Sequence, residues 1–210
     1  MSMSPWTPSP TKVIGIGTNY RLHAAEMGRS IPSVPKVFLM PPSAIVGPGD
    51  AIVLPPCSQR VDHEAELAVV IGQRCRHVPL DSVSEVIAGY TCANDITARD
   101  HQKTDGVFAR AKGFDSFCPV GPVLVADLDP SDLSVECLVN GELRQSGRTS
   151  DLIFDIPALI VFLSSIMTLE PGDIVCTGTP SGVGPLHPGD FVEIRIEGIG
   201  VLGNPVVEAG

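Results

Sequence analysis

The hexapeptide Asp62-His63-Glu64-Ala65-Glu66-Leu67 sets two glutamates two residues apart at the head of an apolar run, Leu67-Ala68-Val69-Val70-Ile71. On an extended strand, residues i and i+2 face the same way, so Glu64 and Glu66 project together. Two carboxylates held that close repel, and burying them requires a compensating cation. A hard divalent ion satisfies both, because Mg²⁺ and Mn²⁺ prefer oxygen ligands. A third acid, Asp95, follows a second apolar stretch, Gly89-Tyr90-Thr91-Cys92-Ala93. Three carboxylates plus water suit Mg²⁺. A solvated acidic strand edge gives the same pattern, and spacing alone does not choose between the two.

Three further clusters can do chemistry. Arg99, Gln102 and Lys112 follow Asp95 closely in an acidic chain that has only 14 lysines and arginines. Arginine forks onto a carboxylate and lysine supplies a point charge, so these residues can ring an anionic substrate; surface basic residues look the same. His23 and Glu26 stand i,i+3 on a short helical stretch and share a face, the arrangement of a histidine oriented as a general base and also of an ordinary surface contact. Thr177-Gly178-Thr179-Pro180-Ser181-Gly182-Val183-Gly184 is glycine-rich but lacks the Lys-Ser/Thr ending of a phosphate loop. Gly15-Ile16-Gly17 lacks the third glycine of a dinucleotide fingerprint, and no G-x-S-x-G elbow is present. A tight turn offering backbone N–H and threonine hydroxyl donors is what remains for residues 177–184.

The elements that must position these groups read as mostly β. The 210 residues include 21 Gly and 20 Pro spread throughout, which implies many turns between short strands. Short strands are expected at 13–17, 36–39 and 51–54, with one or two helical turns at 22–27 closed by Gly28. Residues 82–93 read as a helix entering a strand. Leu133–Val139 alternates and ends in Asn140-Gly141, a hairpin turn. The clearest helix spans 156–168, with Asp155 as N-cap and Pro157 in its first turn. Pro-Gly-Asp turns recur at 48, 171 and 188, each ahead of a β-run. Residues 1–11, rich in Pro and Ser, read as a flexible leader, and 12–210 as one domain.

The net charge of −10 argues against nucleic acid and anionic membranes as partners. No apolar run reaches the roughly 20 residues of a membrane span, and no signal peptide is visible. The six cysteines form no C-x-x-C pair, so reduced thiols and a cytoplasmic location are expected.

Together these segments resemble the fumarylacetoacetate hydrolase family in its single-domain members, over about residues 13–205. The resemblance rests on Asn19-Tyr20 with His23–Met27, on residues 62–67, on Asn94-Asp95-Ile96-Thr97-Ala98-Arg99-Asp100 with Gln102, on Ala111-Lys112-Gly113-Phe114-Asp115, and on Thr177-Gly178-Thr179-Pro180 with Gly182–Gly184. It implies an α+β, predominantly β fold: a mixed β-roll with short flanking helices, assembled as a homodimer. It implies Mg²⁺ or Mn²⁺ on Glu64, Glu66 and Asp95, with a small 2-oxo or enol acid as substrate. Arg99, Gln102, Lys112 and Thr179 match substrate-binding positions, and His23 and Glu26 match a dyad on a lid helix, with Lys112 also placed among the catalytic groups. The implied activity is hydrolysis of a C–C bond in acylpyruvate-type (2,4-diketo acid) substrates. The alternatives are decarboxylation or tautomerisation of a 2-oxo acid such as oxaloacetate, isomerisation of a hydroxymuconate-type diacid, and a homologue that binds metal without turnover. One departure stands out: Met40 occupies a position where many members carry lysine.

Overall fold

The computed structural model describes residues 3–210, with side chains from Trp6 onward. The first half contains β1 (Met3–Pro5), β2 (Val13–Gly17), helix α1 (Arg21–Glu26), β3 (Lys36–Met40), β4 (Ile45–Val46), β5 (Ile52–Leu54), β6 (Val61–His63), β7 (Ala65–Ile71) and β8 (Ile87–Asn94). Next come β9 (Thr97–Ala98), α2 (Arg99–Asp105), α3 (Ala109–Lys112), β10 (Cys118–Val125), β11 (Ser134–Val139) and β12 (Glu142–Arg148). The chain closes with α4 (Ile156–Ile166), β13 (Ile174–Cys176), β14 (Gly184–Pro185), β15 (Phe191–Ile196) and β16 (Gly200–Glu208). This is the α+β, predominantly β architecture that the sequence implies.

The larger sheet runs in the order β1-β10-β8-β7-β13-β2-β3. Beyond β3 the single turn Pro42–Ala44 feeds β4, which pairs in parallel with β10 at Cys118↔Ile45. That pairing brings the far edge back and curls the sheet into a roll. Its interior holds Val13, Met40, Ala68, Ala93, Cys118 and Cys176, small or flexible side chains suited to a narrow lumen. A second sheet, β12-β11-β15-β16-β5, contributes Val135, Cys137 and Ile194 to the main core alongside Leu67, Val69 and Ile71 of β7. Buried on both faces, β7 is therefore a continuous apolar run from Leu67 to Ile71, beyond Glu66, rather than an alternating one.

Local chemistry accounts for the elements read from sequence. Asn140 and Gly141 adopt φ of 53° and 80°, the left-handed pair of a two-residue hairpin turn between β11 and β12. Asp155 Oδ1 accepts from Ala158 N at 2.9 Å and caps α4, which ends at Ile166 rather than 168. Residues Leu80–Val86 form a 3₁₀ segment, and the strand begins at Ile87. Of the segment read as a leader, residues 1 and 2 lie outside the described residues. Met3–Pro5 pairs with Val123–Val125 of β10, and Thr11 and Lys12 bind Asp173, so backbone pairing incorporates the rest into the fold. Among the described residues no helix is long and apolar enough to cross a membrane.

Candidate active site

The carboxylate trio is set by strand register. β7 pairs antiparallel with β8 at Ala65↔Asn94, which lays Glu64 against Asp95. Two hydrogen bonds lock that junction: Glu64 N–H donates to Asn94 Oδ1 at 2.9 Å, and Asp95 N–H donates to the Glu64 carbonyl at 2.9 Å. Glu66, two residues on, projects to the same side at the mouth of the roll. One oxygen from each of Glu64, Glu66 and Asp95 lies within 4.8 Å of the others, and all three residues are buried.

Two cations answer this charge. Lys112, at the end of α3 and itself 2% exposed, donates from Nζ to Glu64 Oε2 at 2.9 Å and to Asp95 Oδ2. Arg99, at the start of α2, brings Nη2 to 2.6 Å from Glu64 Oε1 and donates from Nη1 to Gln102 Oε1 at 3.2 Å. Its Nε donates to Asp62 Oδ2 at 2.8 Å, and Arg60 grips Asp62 from the other side at 2.9 and 3.1 Å. The Phe38 ring lies 5.0 Å from Lys112 Nζ, within cation–π range. It can lie there because residue 15 is glycine; a Cβ at Gly15 would come within 2.1 Å of the ring.

The balance of burial and charge splits the three acids. Burial alone would raise Glu64, but Lys112 and Arg99 outweigh it and hold this carboxyl at about 2. Asp95 is pushed up to about 6 by burial, which the Lys112 attraction only partly offsets, with Glu64 adding to the rise. Glu66 is driven well above the usual carboxylate range by burial and then by the Asp95 charge. Burial opposes the Lys112 ammonium, yet Asp95 and Glu64 more than compensate and raise it.

The glycine-rich turn supplies the donors expected of it. Gly178, at φ 107°, donates its N–H to Glu66 Oε2 at 2.7 Å. A Cβ there would meet Asn19 Cβ at 2.7 Å, so both conformation and space require glycine. Thr179 Oγ1 accepts from Gln145 Nε2 at 2.7 Å. On α1, His23 is buried with Nδ1 at 3.0 Å from Glu26 Oε2, while Glu26 Oε1 accepts from Gly182 N at 2.9 Å. The helix is thereby latched to the turn.

His23, Glu64, Glu66, Asp95, Arg99, Gln102, Lys112 and Thr179 all line one cavity of about 20 Å³, together with Thr18, Arg29, Phe38 and Phe108. Glu26 does not line it and reaches it only through His23. Met40 is not a lining residue either; it is buried in the lumen of the roll, in the cluster that includes Cys176 and Cys118. Several supporting residues escape sequence reasoning. Gln145 Oε1 accepts from Ala65 N and pairs with His63 Nδ1, tying the start of β7 to Thr179 across the molecule. Asp62 stands in the same motif as Glu64, but its hold on Arg99 spans 37 residues. Asn94, adjacent to Asp95, carried the only nearby signal.

The donor set fits a hard divalent cation. Its ligands are oxygens from three clustered carboxylates, and Asp95 Oδ1 is buried with no hydrogen-bond partner among the described residues. An unpaired buried carboxylate oxygen is costly unless a cation reaches it. Until then Lys112 bridges two of the three acids.

Residues 12–207 match the family described as fumarylacetoacetate (FAA) hydrolase C-terminal. The chain is similar to 5-carboxymethyl-2-hydroxymuconate delta-isomerase from Mycobacterium smegmatis, with 51% identity and a TM-score of 0.92 over 99% of this chain and 82% of that one. It is 47% identical to oxaloacetate tautomerase YisK of Bacillus subtilis, over 95% of this chain and 71% of the relative. A more distant neighbour is maleylpyruvate hydrolase from Sphingobium, in complex with manganese(II) and pyruvate: 39% identity and a TM-score of 0.85, over 97% and 73% of the two chains. With the roll, the carboxylate trio and these matches agreeing, the chain belongs to the fumarylacetoacetate hydrolase family.

Proposed function

We propose that the chain is a Mg²⁺- or Mn²⁺-dependent enzyme that hydrolyses a C–C bond in acylpyruvate-type (2,4-diketo acid) substrates. The observation that carries this reading is the placement of His23, oriented by Glu26, on the same small cavity as Glu64, Glu66 and Asp95. Held by those three carboxylates, the ion supplies Lewis-acid stabilisation of the negative charge that develops on a 2-oxo acid as the bond breaks. Arg99 and Gln102 bind the substrate carboxylate, Arg99 being fixed for that role through Asp62. The Thr179 hydroxyl, held by Gln145, faces the same head group. With Nδ1–H donated to Glu26, the His23 ring keeps Nε2 as a proton acceptor for an attacking water. Lys112 Nζ, once the carboxylates are otherwise neutralised, donates to the oxyanion that forms at the remote carbonyl. The latch from Glu26 to Gly182 closes α1 over the cavity and excludes bulk water.

A second reading uses the same head site without an attacking water: tautomerisation of oxaloacetate or isomerisation of a hydroxymuconate-type diacid. The names of the relatives at 47% and 51% identity favour it. Product analysis by NMR with Mg²⁺-loaded protein separates the two. Acetate plus pyruvate from acetylpyruvate, lost at least about 100-fold in His23→Ala, is the outcome the hydrolase reading requires. Accelerated keto–enol exchange of oxaloacetate, unchanged in His23→Ala and without acylpyruvate cleavage, would replace it with the tautomerase.

A further inference from the structure

β12 is the edge strand of the second sheet, and it packs directly against the glycine-rich turn. A Cβ on Gly147 would stand 2.6 Å from Pro180 Cβ, and one on Gly182, at φ 99°, would run into the Arg144 carbonyl. A glycine on each side therefore lets strand and turn close up. Gln145, which lies between Arg144 and Gly147 in the chain, is left fully buried at that contact.

Backbone groups tell the two ends of its amide apart. Oε1 accepts from Ala65 N–H at 3.0 Å, and a peptide N–H can only donate. Nε2 donates to the Pro180 carbonyl at 2.8 Å, and a carbonyl can only accept. The amide therefore has one orientation. The remaining capacity at each end is also used. Oε1 receives Nδ1–H of His63 at 2.9 Å, and burial keeps that imidazole below its usual range, in the neutral form with its proton on Nδ1. The second Nε2 hydrogen goes to Thr179 Oγ1 at 2.7 Å. An amide nitrogen has no lone pair to offer, so Thr179 accepts here and its own O–H proton points elsewhere. Thr179 is buried and lines the inner cavity, and among the described residues its hydroxyl donates to no protein acceptor.

We infer that Gln145 is a positioning residue: its amide fixes Thr179 as a hydrogen-bond donor to an anionic oxygen of the 2-oxo acid head. This rests on the proposed reading, which places that head in the cavity. A hydroxyl turned the other way would present lone pairs to the same oxygen and repel it. The amide also holds Ala65, the residue between Glu64 and Glu66, so one side chain aligns the substrate hydroxyl with the strand that carries the carboxylates.

Calorimetric titration of oxalate into Mn²⁺-loaded protein reads the head site alone. Thr179→Val keeps the shape and removes the hydroxyl; it should bind oxalate about tenfold more weakly, while Thr179→Ser stays within about twofold of wild type. Gln145→Glu keeps the acceptor for Ala65 and His63 but loses both donors, so the Thr179 proton turns back toward β12. In that background Thr179→Val should cost less than about twofold further, whatever Gln145→Glu has cost by its own charge. An equal penalty for Thr179→Val in both backgrounds overturns the role of Gln145. The Thr179 variants leave Gln145 in place and decide the question even where Gln145→Glu does not fold. Unchanged or tighter oxalate binding in Thr179→Val overturns the donor polarity and leaves the head reading standing. Failure of oxalate to bind the Mn²⁺-loaded wild type overturns the head reading, and the role of Gln145 with it.

Discussion

Asp173 and Asp95 are both aspartates buried to 1% or less, and each has a lysine on one oxygen. Their surroundings differ in every other respect. Asp173 Oδ1 accepts from Thr11 N, Thr11 Oγ1 and Lys12 N, and its Oδ2 accepts from Glu170 N as well as Lys12. Burial works against its charge, but those donors win and hold it below the usual aspartate range. Asp95 has Lys112 on Oδ2 and nothing on Oδ1 among the described residues, with Glu64 and Glu66 alongside, and is pushed up to about 6. One carboxylate is saturated by its own chain and fastens the N-terminal segment to the turn before β13. The other is left short of donors, which costs stability and keeps it available to a cation. The contrast teaches that burial and a lysine partner do not by themselves set apart a carboxylate open to a cation; unmet hydrogen-bonding capacity does.

The largest expected effects break the two aspartates apart. Asp95→Asn should weaken Mn²⁺ binding by at least about 100-fold while lowering the metal-free melting temperature little or not at all, because it removes a charge from an over-acidic nest. Asp173→Ala should do the reverse. It orphans several buried donors, costs about 3–5 kcal/mol and lowers the melting temperature by roughly 10 °C, with Mn²⁺ affinity of the folded protein unchanged. Calorimetric titration and thermal melts on both variants check this. A destabilised Asp95→Asn that still binds Mn²⁺ as tightly as wild type would erase the distinction.

A pH series sharpens the same comparison. Asp173 sits below its ordinary value, so its contribution to stability is present above about pH 4 and is lost as pH falls through its folded-state value. Asp95 has the opposite sign. Its folded-state value of about 6 exceeds the unfolded one, so its charge opposes folding of the metal-free protein progressively as pH rises from about 4 to 6. A cation competes with protons at Asp95 and at Glu66, whose carboxyl burial and the Asp95 charge drive well above the usual carboxylate range. Mn²⁺ affinity is therefore expected to fall by at least about tenfold between pH 7 and pH 5. A flat profile over that interval would mean that the trio is ionised throughout and Lys112 neutralises it more fully than the geometry implies.

How much of this was legible in the sequence follows from how local each signal is. Glu64 and Glu66 could be paired because strand periodicity acts over two residues, and α4 could be placed because its cap and its proline lie within one turn. The hairpin at Asn140-Gly141 likewise needs only its own two residues. The curl of the sheet depends on Ile45 meeting Cys118 in a parallel pair, and no local pattern encodes that meeting. Lys112 was expected near a substrate anion; that it bridges Glu64 and Asp95 depends on packing of α3 against β3 and β9. Gln145 reads as an ordinary polar residue of a hairpin strand, and its link to Thr179 exists only once β12 crosses the glycine-rich turn. Met40, singled out by the resemblance alone, lies inside the roll in a cluster with Cys176 and Cys118, a placement that no local pattern encodes.

The smallest expected effects concern the lysines. Lys12 is partly exposed, and Asp173 keeps four other donors when it is removed. Lys12→Met should therefore cost only about 1 kcal/mol, a drop of roughly 2–4 °C in melting temperature that Mn²⁺ does not alter. Lys112 holds two acids that have few alternatives, and on the proposed reading a divalent ion on all three carboxylates would have to dislodge it from both. In Lys112→Met the metal-free protein should melt below wild type, and saturating Mn²⁺ should recover more stability than it adds to wild type, since the ion no longer competes with an ammonium for Glu64 and Asp95. Differential scanning calorimetry with and without Mn²⁺ reads both variants. Equal Mn²⁺-induced shifts in Lys112→Met and wild type would show that lysine and metal do not contend for the same oxygens, and the comparison would then rest on Asp95 Oδ1 alone.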